Sequence, residues 1–230
     1  RKEKTVKTYH GYELVDDYAW VDQNNIIEVL QDPKKLLPDV RRYLEENNKL
    51  TEDYFDDVKD LQKKLFSEIK SKIKLEDESL KYKDDRYFYW TKTVKKGNYA
   101  KYLRQKIGSS EAEIYFDGDK EKEISKSKYF GVGAISVSPN DKLLAYSVDL
   151  KGSEYYDIFL RELSKNKLIE NKIINTSGGV TWSLDSKSFF YIPLDKFHRS
   201  KKIYKHVLGA PSKDDQLIFE EKDDSFSVSI

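Results

Sequence analysis

The chain has 230 residues, of which 38% are hydrophobic and 36% charged, so it carries enough apolar material for a core beneath a strongly charged surface. Lys and Arg number 42 against 41 Asp and Glu, and this balance argues against a dedicated nucleic-acid or anionic-membrane binder. The sequence has no cysteine, no apolar run of membrane-spanning length and no signal-peptide pattern, so we expect a soluble protein of the cytoplasm.

Residues 10–20, HGYELVDDYAW, are unusually rich in aromatic and acidic side chains for a chain terminus. A disordered terminus avoids large aromatics, because they carry apolar area that stays unburied. We therefore predict that this segment docks on another part of the protein, which need not lie within these 230 residues. For His10 a more direct functional role is the alternative to docking or capping. The candidate docking residues are His10, Tyr12, Asp16, Asp17, Tyr18 and Trp20.

Residues 1–75 are predicted to form an N-terminal helical extension. Asp32-Pro33 has the pattern of a helix start, and Pro38-Asp39 offers a second one. From Val40 to residue 73 the pattern is helical, with apolar residues three or four positions apart. An amphipathic face usually covers a core, so we expect this face to pack on its own protein; a partner-binding helix is the alternative. The later part of the face is Tyr54, Val58, Leu61, Leu65, Ile69 and Ile73.

Residues 76–230 change to short strands separated by polar turns. Superposing two of the turns places Ser138 on Ser183, an offset of 45, and an earlier turn places Asp85 on Asp141, an offset of 56. A unit of four short strands at such a spacing is typical of a β-propeller blade. The fold class predicted is mainly β, with about three blades. Because a closed ring needs at least about four blades, we expect the ring to continue beyond this chain.

Several segments of this sequence together resemble the prolyl oligopeptidase family, in its oligopeptidase B or protease II branch. Residues 10–20 are similar to the family's opening H-G-x-x-x-x-D-D-Y-x-W element, residues 131–156 to its second-blade pattern, and residues 178–209 to the continuation of that pattern. The resemblance covers nearly the whole chain. It implies a serine peptidase whose propeller, of an expected seven blades, caps an α/β-hydrolase domain that is absent from this chain.

The resemblance also implies a function for the whole protein. It would cleave short peptides after Arg or Lys, and the propeller would restrict access by size. Residues 1–75 would pack on the catalytic domain, and the Ser/Asp/His triad is expected downstream of Ile230, so this chain alone is expected to be inactive. The partners implied are short basic peptides and the protein's own catalytic domain, with no cofactor, nucleic acid or membrane. A stand-alone propeller scaffold without catalysis is the alternative.

The residues within the chain offer little catalytic chemistry. The G-x-S-x-G turn that presents a serine nucleophile does not occur, and the pattern of His and acidic residues fits no zinc motif. His198 and His206 fall beside or within predicted strands, where a hydrogen-bonded structural role is expected. The basic residues between 196 and 205 are interpreted as a solvated face rather than a nucleic-acid site.

One acidic residue, Glu154, is a candidate for substrate attraction. It lies in a predicted loop between two strands of a blade, where a carboxylate would attract cationic peptides or bridge to the catalytic domain. An ordinary exposed loop acid is the alternative.

Overall fold

The computed structural model describes residues 1–169 and 172–230. The chain divides into two compact units, Arg1–Lys74 and Leu75–Ile230. None of the helices in the described residues is both long and apolar enough to cross a membrane.

The first unit opens with an antiparallel hairpin of β1 (Thr5–Tyr9) and β2 (Tyr12–Asp16). Here the structure corrects the sequence analysis, which assigns the segment to a helical extension. His10 and Gly11 form the two-residue turn with φ values of 52° and 83°. Positive φ at both central residues is the requirement of a type I′ hairpin turn, and glycine adopts it without strain. The His-Gly pair therefore belongs to a hairpin turn.

Three helices come after the hairpin, α1 (Ile26–Gln31), α2 (Pro38–Tyr54) and α3 (Lys59–Ser71). The second predicted start, Pro38-Asp39, is where the long helix α2 begins. At the first predicted start, Asp32 instead caps a short helical turn, because its side chain accepts the Lys34 N–H at 3.1 Å. The helical pattern predicted from Val40 to residue 73 corresponds to two helices, α2 and α3, with a separate helical turn at residues 56–58 between them. Two consecutive aspartates occupy that turn, and aspartate disfavours helix interiors while favouring helix starts.

The apolar face of α2 and α3 is largely uncovered in the described structure. Val40 is buried, but Tyr54, Leu65 and Ile69 are exposed, Ile69 by 63%, and none of the residues of α3 is buried. The packing expected for this face is therefore not made by the described residues.

The second unit contains, in its described residues, three antiparallel sheets of successive strands. In each sheet the strands are arranged in space in chain order, with short turns between them, as in a propeller blade. The prediction of a mainly β, partial propeller is confirmed. Blade 1 is β3 (Asp77–Glu78) and β4 (Tyr82–Asp84), both beside β5 (Tyr87–Thr93), then β6 (Lys101–Lys106) and β7 (Ala112–Asp117).

The next two blades have the same plan. Blade 2 is β8 (Gly131–Val137), β9 (Leu143–Asp149) and β10 (Tyr156–Glu162), with β11 (Lys167–Leu168) and β12 (Ile173–Thr176) both beside β10. Blade 3 is β13 (Thr181–Trp182), β14 (Ser188–Tyr191), β15 (Lys202–Val207) and β16 (Gln216–Glu220).

The core of this unit lies between successive blades. One buried cluster includes Phe116 of blade 1 and Leu144 of blade 2. A second includes Ile158 of blade 2 and Phe189 of blade 3. Blade 2 contributes apolar residues to both clusters, so both of its faces are buried. Its strands are therefore nearly continuous runs of hydrophobic residues in the sequence.

The superposed turns have the same hydrogen bonds. The Ser138 hydroxyl accepts the N–H of the residue five positions later at 3.0 Å, and the Ser183 hydroxyl does so at 3.1 Å. Asp85 and Asp141 both have positive φ, 42° and 61°. The offsets of 45 and 56 therefore align structurally equivalent turns, and the repeat predicted from the sequence is confirmed.

A short helix that the sequence analysis does not predict, α4 (Gly118–Ser125), joins the first two blades. Asp117 begins it, because its carboxylate accepts the Lys120 N–H at 3.3 Å and contacts the Lys101 ammonium at 2.9 Å. Burial acts to raise the pKa of Asp117, but these two partners outweigh it and hold the pKa below its usual value.

Candidate functional site

The opening segment is only partly packed within its own unit. Trp20 lies edge-on to Tyr43 of α2, with ring centroids 5.2 Å apart, and the Arg1 guanidinium lies 5.3 Å from the Trp20 ring. Tyr12 is 77% exposed, and the exposed His10 occupies the hairpin turn. The structure thus brings Trp20 onto a helix and leaves the hairpin end of the motif on the surface.

The acidic residues of this segment shape the chain after the hairpin. The Asp16 carboxylate accepts the Tyr18 N–H at 2.7 Å, which forms a tight turn before Trp20. The Asp17 carboxylate lies 3.8 Å from the Lys2 ammonium. Tyr18 remains 44% exposed, and the buried indole N–H of Trp20 has no hydrogen-bond partner among the described residues. The segment therefore keeps the Tyr18 ring partly available for a partner.

Glu154 lies in the loop between β9 and β10, and a buried carboxylate holds that loop. Asp149 is 1% exposed and accepts the backbone N–H groups of Lys151 at 2.8 Å, Gly152 at 3.0 Å and Glu154 at 2.7 Å. Three such bonds to one carboxylate fix the backbone, including the left-handed φ of 57° at Glu154. This role of Asp149 was not predicted from the sequence, although aspartate commonly holds a turn by accepting backbone N–H groups that follow it.

Blade 3 supports the same loop through an interblade contact, formed by Ser153, Tyr155, Asp195 and His198. The Tyr155 hydroxyl donates to the Asp195 carbonyl at 2.7 Å, and His198 Nε2 lies 2.7 Å from the Ser153 carbonyl. The rings of Tyr155 and His198 meet at 4.1 Å. His198 thus holds the two loops together, which is the kind of hydrogen-bonded structural role predicted for it.

The side chain of Glu154 is exposed on this supported loop. In the part of the chain that the structure describes, no lysine or arginine forms an ion pair with it. A fixed backbone with an unpaired surface carboxylate can attract a cation from solution. The geometry is compatible with substrate attraction and equally with the ordinary loop acid.

His206 lies in β15 and is closed off from solvent. It is 2% exposed, and its Nδ1 lies 2.8 Å from Asp215, whose other oxygen accepts the Tyr191 hydroxyl at 2.9 Å. Burial, with help from the hydrogen bond to Asp215, raises the pKa of Tyr191. Although a His–Asp pair is part of many hydrolase sites, this one is buried in blade 3 and bound to Tyr191, so it stabilises that blade.

Comparisons with known proteins assign the chain. The family model described as prolyl oligopeptidase, N-terminal beta-propeller domain, matches residues 1–230. The chain belongs to this family. The resemblance inferred from the motifs is therefore confirmed at the level of the family.

Individual relatives agree with the family assignment. Dipeptidyl aminopeptidase BI of Pseudoxanthomonas mexicana is 30% identical over all of this chain and 33% of its own length. Oligopeptidase B of Trypanosoma brucei with covalently bound antipain is 27% identical, with a TM-score of 0.76 over 97% of this chain and 32% of that one. Oligopeptidase B of Leishmania major has a TM-score of 0.78 at 24% identity, covering 96% of this chain and 32% of that one. The chain spans about a third of the length of these relatives.

Proposed function

We propose that this chain is the front part of a serine oligopeptidase that cleaves short peptides after Arg or Lys. The observation that carries the proposal is the similarity of nearly the whole chain to oligopeptidase B at 27% identity, in addition to the family match. The whole protein would have a seven-bladed propeller over an α/β-hydrolase domain. The Ser/Asp/His triad would come from sequence after residue 230, and the protein would act in the cytoplasm.

The first unit would attach the propeller part to the catalytic domain. It presents an uncovered apolar face on α2 and α3 and exposed aromatics near the hairpin. Exposed apolar area of this extent is a usual property of an interaction surface. We propose that residues 1–75 pack on the catalytic domain through these groups, with Tyr12, Tyr18 and Trp20 among the contacts.

The propeller would select the peptides that enter rather than take part in the chemical step. A ring of blades excludes folded proteins by size, and a carboxylate on a fixed loop attracts cationic peptides from solution. Glu154 fits the second role, because the Asp149 carboxylate and the interblade contact hold its loop while its own side chain stays exposed.

The substrate class is tested on the full-length protein with matched fluorogenic peptides that differ in one residue before the reporter: Arg, Lys, Pro or Ala. We expect cleavage after Arg and Lys, and covalent labelling of one serine by an arginine phosphonate. Mass spectrometry of longer peptides then separates internal cleavage from release of dipeptides, which the similarity to a dipeptidyl aminopeptidase makes the second candidate activity. Preferred cleavage after Pro contradicts the substrate class. No labelling and no cleavage would instead favour the propeller scaffold.

The role of Glu154 is tested by Glu154→Gln in the same protein. At low salt we expect kcat/KM for an arginine peptide to fall about threefold, and the difference to vanish at high salt, because screening removes attraction between exposed charges. Glu111→Gln is the matched control, since Glu111 is an exposed acid in another turn of the propeller unit. Equal rates for Glu154→Gln and the unaltered protein at every salt concentration remove Glu154 from the mechanism.

A further inference from the structure

A cavity of about 550 Å³ lies between blade 1 and the first strands of blades 2 and 3. Its wall on blade 1 consists of three tyrosines from three strands: Tyr82, Tyr89 and Tyr115. The ring centroids of Tyr82 and Tyr89 lie 5.7 Å apart, as do those of Tyr89 and Tyr115, in stacked and edge-on contacts respectively. The other wall includes Ile135 and Trp182. A volume of this size is within the range of small-ligand sites.

Three carboxylates line the same cavity, those of Asp84, Asp85 and Asp141. Arg86 lies 2.5 Å from Asp141 and 3.2 Å from Asp85. One guanidinium thus pairs with two of the three carboxylates, and Asp84 has no ion pair among the described residues. The charge that lines the cavity therefore remains negative.

The neighbouring Arg104 does not neutralise this charge. Its guanidinium lies on the Tyr87 ring, 4.6 Å from the centroid, and is paired with Glu113 at 2.6 Å. Its second contact toward the cavity is with the main-chain carbonyl of Asp141 at 2.9 Å. Arg104 is thus used in supporting the turn and in pairing with Glu113, which does not line the cavity.

Tyr115 adds a hydrogen-bonding group to the cavity. It is only 9% exposed and borders the cavity, yet none of the described residues forms a hydrogen bond with its hydroxyl. The hydroxyl oxygen keeps solvent access at the cavity, so it can donate or accept a hydrogen bond there. Within the described part of the chain, no protein group competes for this hydroxyl with a group bound in the cavity.

We propose that this cavity binds the guanidinium group of an arginine side chain in a peptide. Tyrosine faces attract a cation, carboxylates balance its charge, and the Tyr115 hydroxyl accepts one of its N–H groups. A planar guanidinium suits stacked rings better than a compact ammonium does. The inference goes beyond the proposed function, since it concerns binding at the propeller and holds whichever bond the whole protein cleaves.

The test uses the full-length protein carrying Glu154→Gln and treated with the arginine phosphonate, so that neither Glu154 nor a phosphonate-reactive site contributes. The probe is N-acetyl-Gly-Arg-Gly-amide, titrated by calorimetry, and the matched control is the citrulline peptide, which has nearly the same shape without the charge. We expect saturable binding of the arginine peptide and none of the citrulline peptide.

Two variants decide whether the binding belongs to this cavity. We expect Asp84→Asn/Asp85→Asn to raise the Kd about tenfold, equivalent to about 1.4 kcal/mol, and Glu111→Gln to leave it unchanged. Asn tolerates the positive φ of 42° at residue 85, which limits damage to the fold. Tyr115→Phe keeps ring and charges and removes only the hydroxyl, and it too should weaken binding. An unchanged Kd in either variant, or equal affinity for the citrulline peptide, overturns the proposal.

Discussion

Asp149 is the single side chain on which the Glu154 loop depends most. Its carboxylate is buried and accepts three backbone N–H groups, so its removal leaves three donors without a partner. We expect Asp149→Ala to lower the free energy of unfolding by about 3 kcal/mol, because hydrogen bonds to charged groups are stronger than neutral ones. Urea unfolding measures this loss.

The same variant has a local signature. Hydrogen exchange should accelerate at the amides of Lys151, Gly152 and Glu154, whose partner is gone. Asp149→Asn is the control, since it retains one acceptor oxygen and should show a smaller effect. If Asp149→Ala leaves both stability and exchange unchanged, the loop does not depend on this carboxylate.

At the scale of an element, α4 makes the stability of the propeller unit sensitive to acid. The pKa of Asp117 is held below its usual value in the folded protein, so the unfolded chain takes up a proton first as the pH falls. The stability that Asp117 provides is thus fully present above about pH 4 and is lost as the pH falls through the lowered folded pKa.

Asp117→Asn tests this pH dependence. It should lower the free energy of unfolding by about 1–2 kcal/mol at pH 7, through the lost Lys101 pair and the lost negative charge at the helix N-terminus. The difference from the unaltered protein should shrink toward pH 3, measured by urea unfolding across that range, with Glu111→Gln as the control. A difference that stays constant with pH would show that the charge of Asp117 is not involved.

The elements that could be predicted were those indicated by local patterns in the sequence. The blades are indicated by short apolar strands and by turn residues such as Ser138 and Ser183, which recur at a fixed spacing and make the same hydrogen bonds. The hairpin at residues 5–16 was missed because its His-Gly turn is a weaker signal than the usual Asn-Gly. The periodic pattern from residue 40 predicted helix correctly but could not locate the break near residue 55, since the apolar spacing continues across it.

The candidate sites were less predictable, because tertiary structure assembles them. Glu154 was identified from its loop, but the support from Asp195 and His198 comes from a different blade. The cavity joins Tyr115, Ile135 and Trp182, which lie apart in the sequence and belong to three different sheets. Spacing along the chain carries no information about such a juxtaposition.

For the whole molecule, the central claim is that this chain serves a peptidase as a filter that admits short peptides. The most direct measurement presents one arginine-containing sequence to the full-length protein in two forms, as a free peptide and as an exposed loop of a stable folded protein. Trypsin, which should cleave both, shows that the loop is accessible. We predict cleavage of the free peptide and none of the folded protein, because a propeller cap admits only narrow chains. Cleavage of both forms at similar rates would contradict the account.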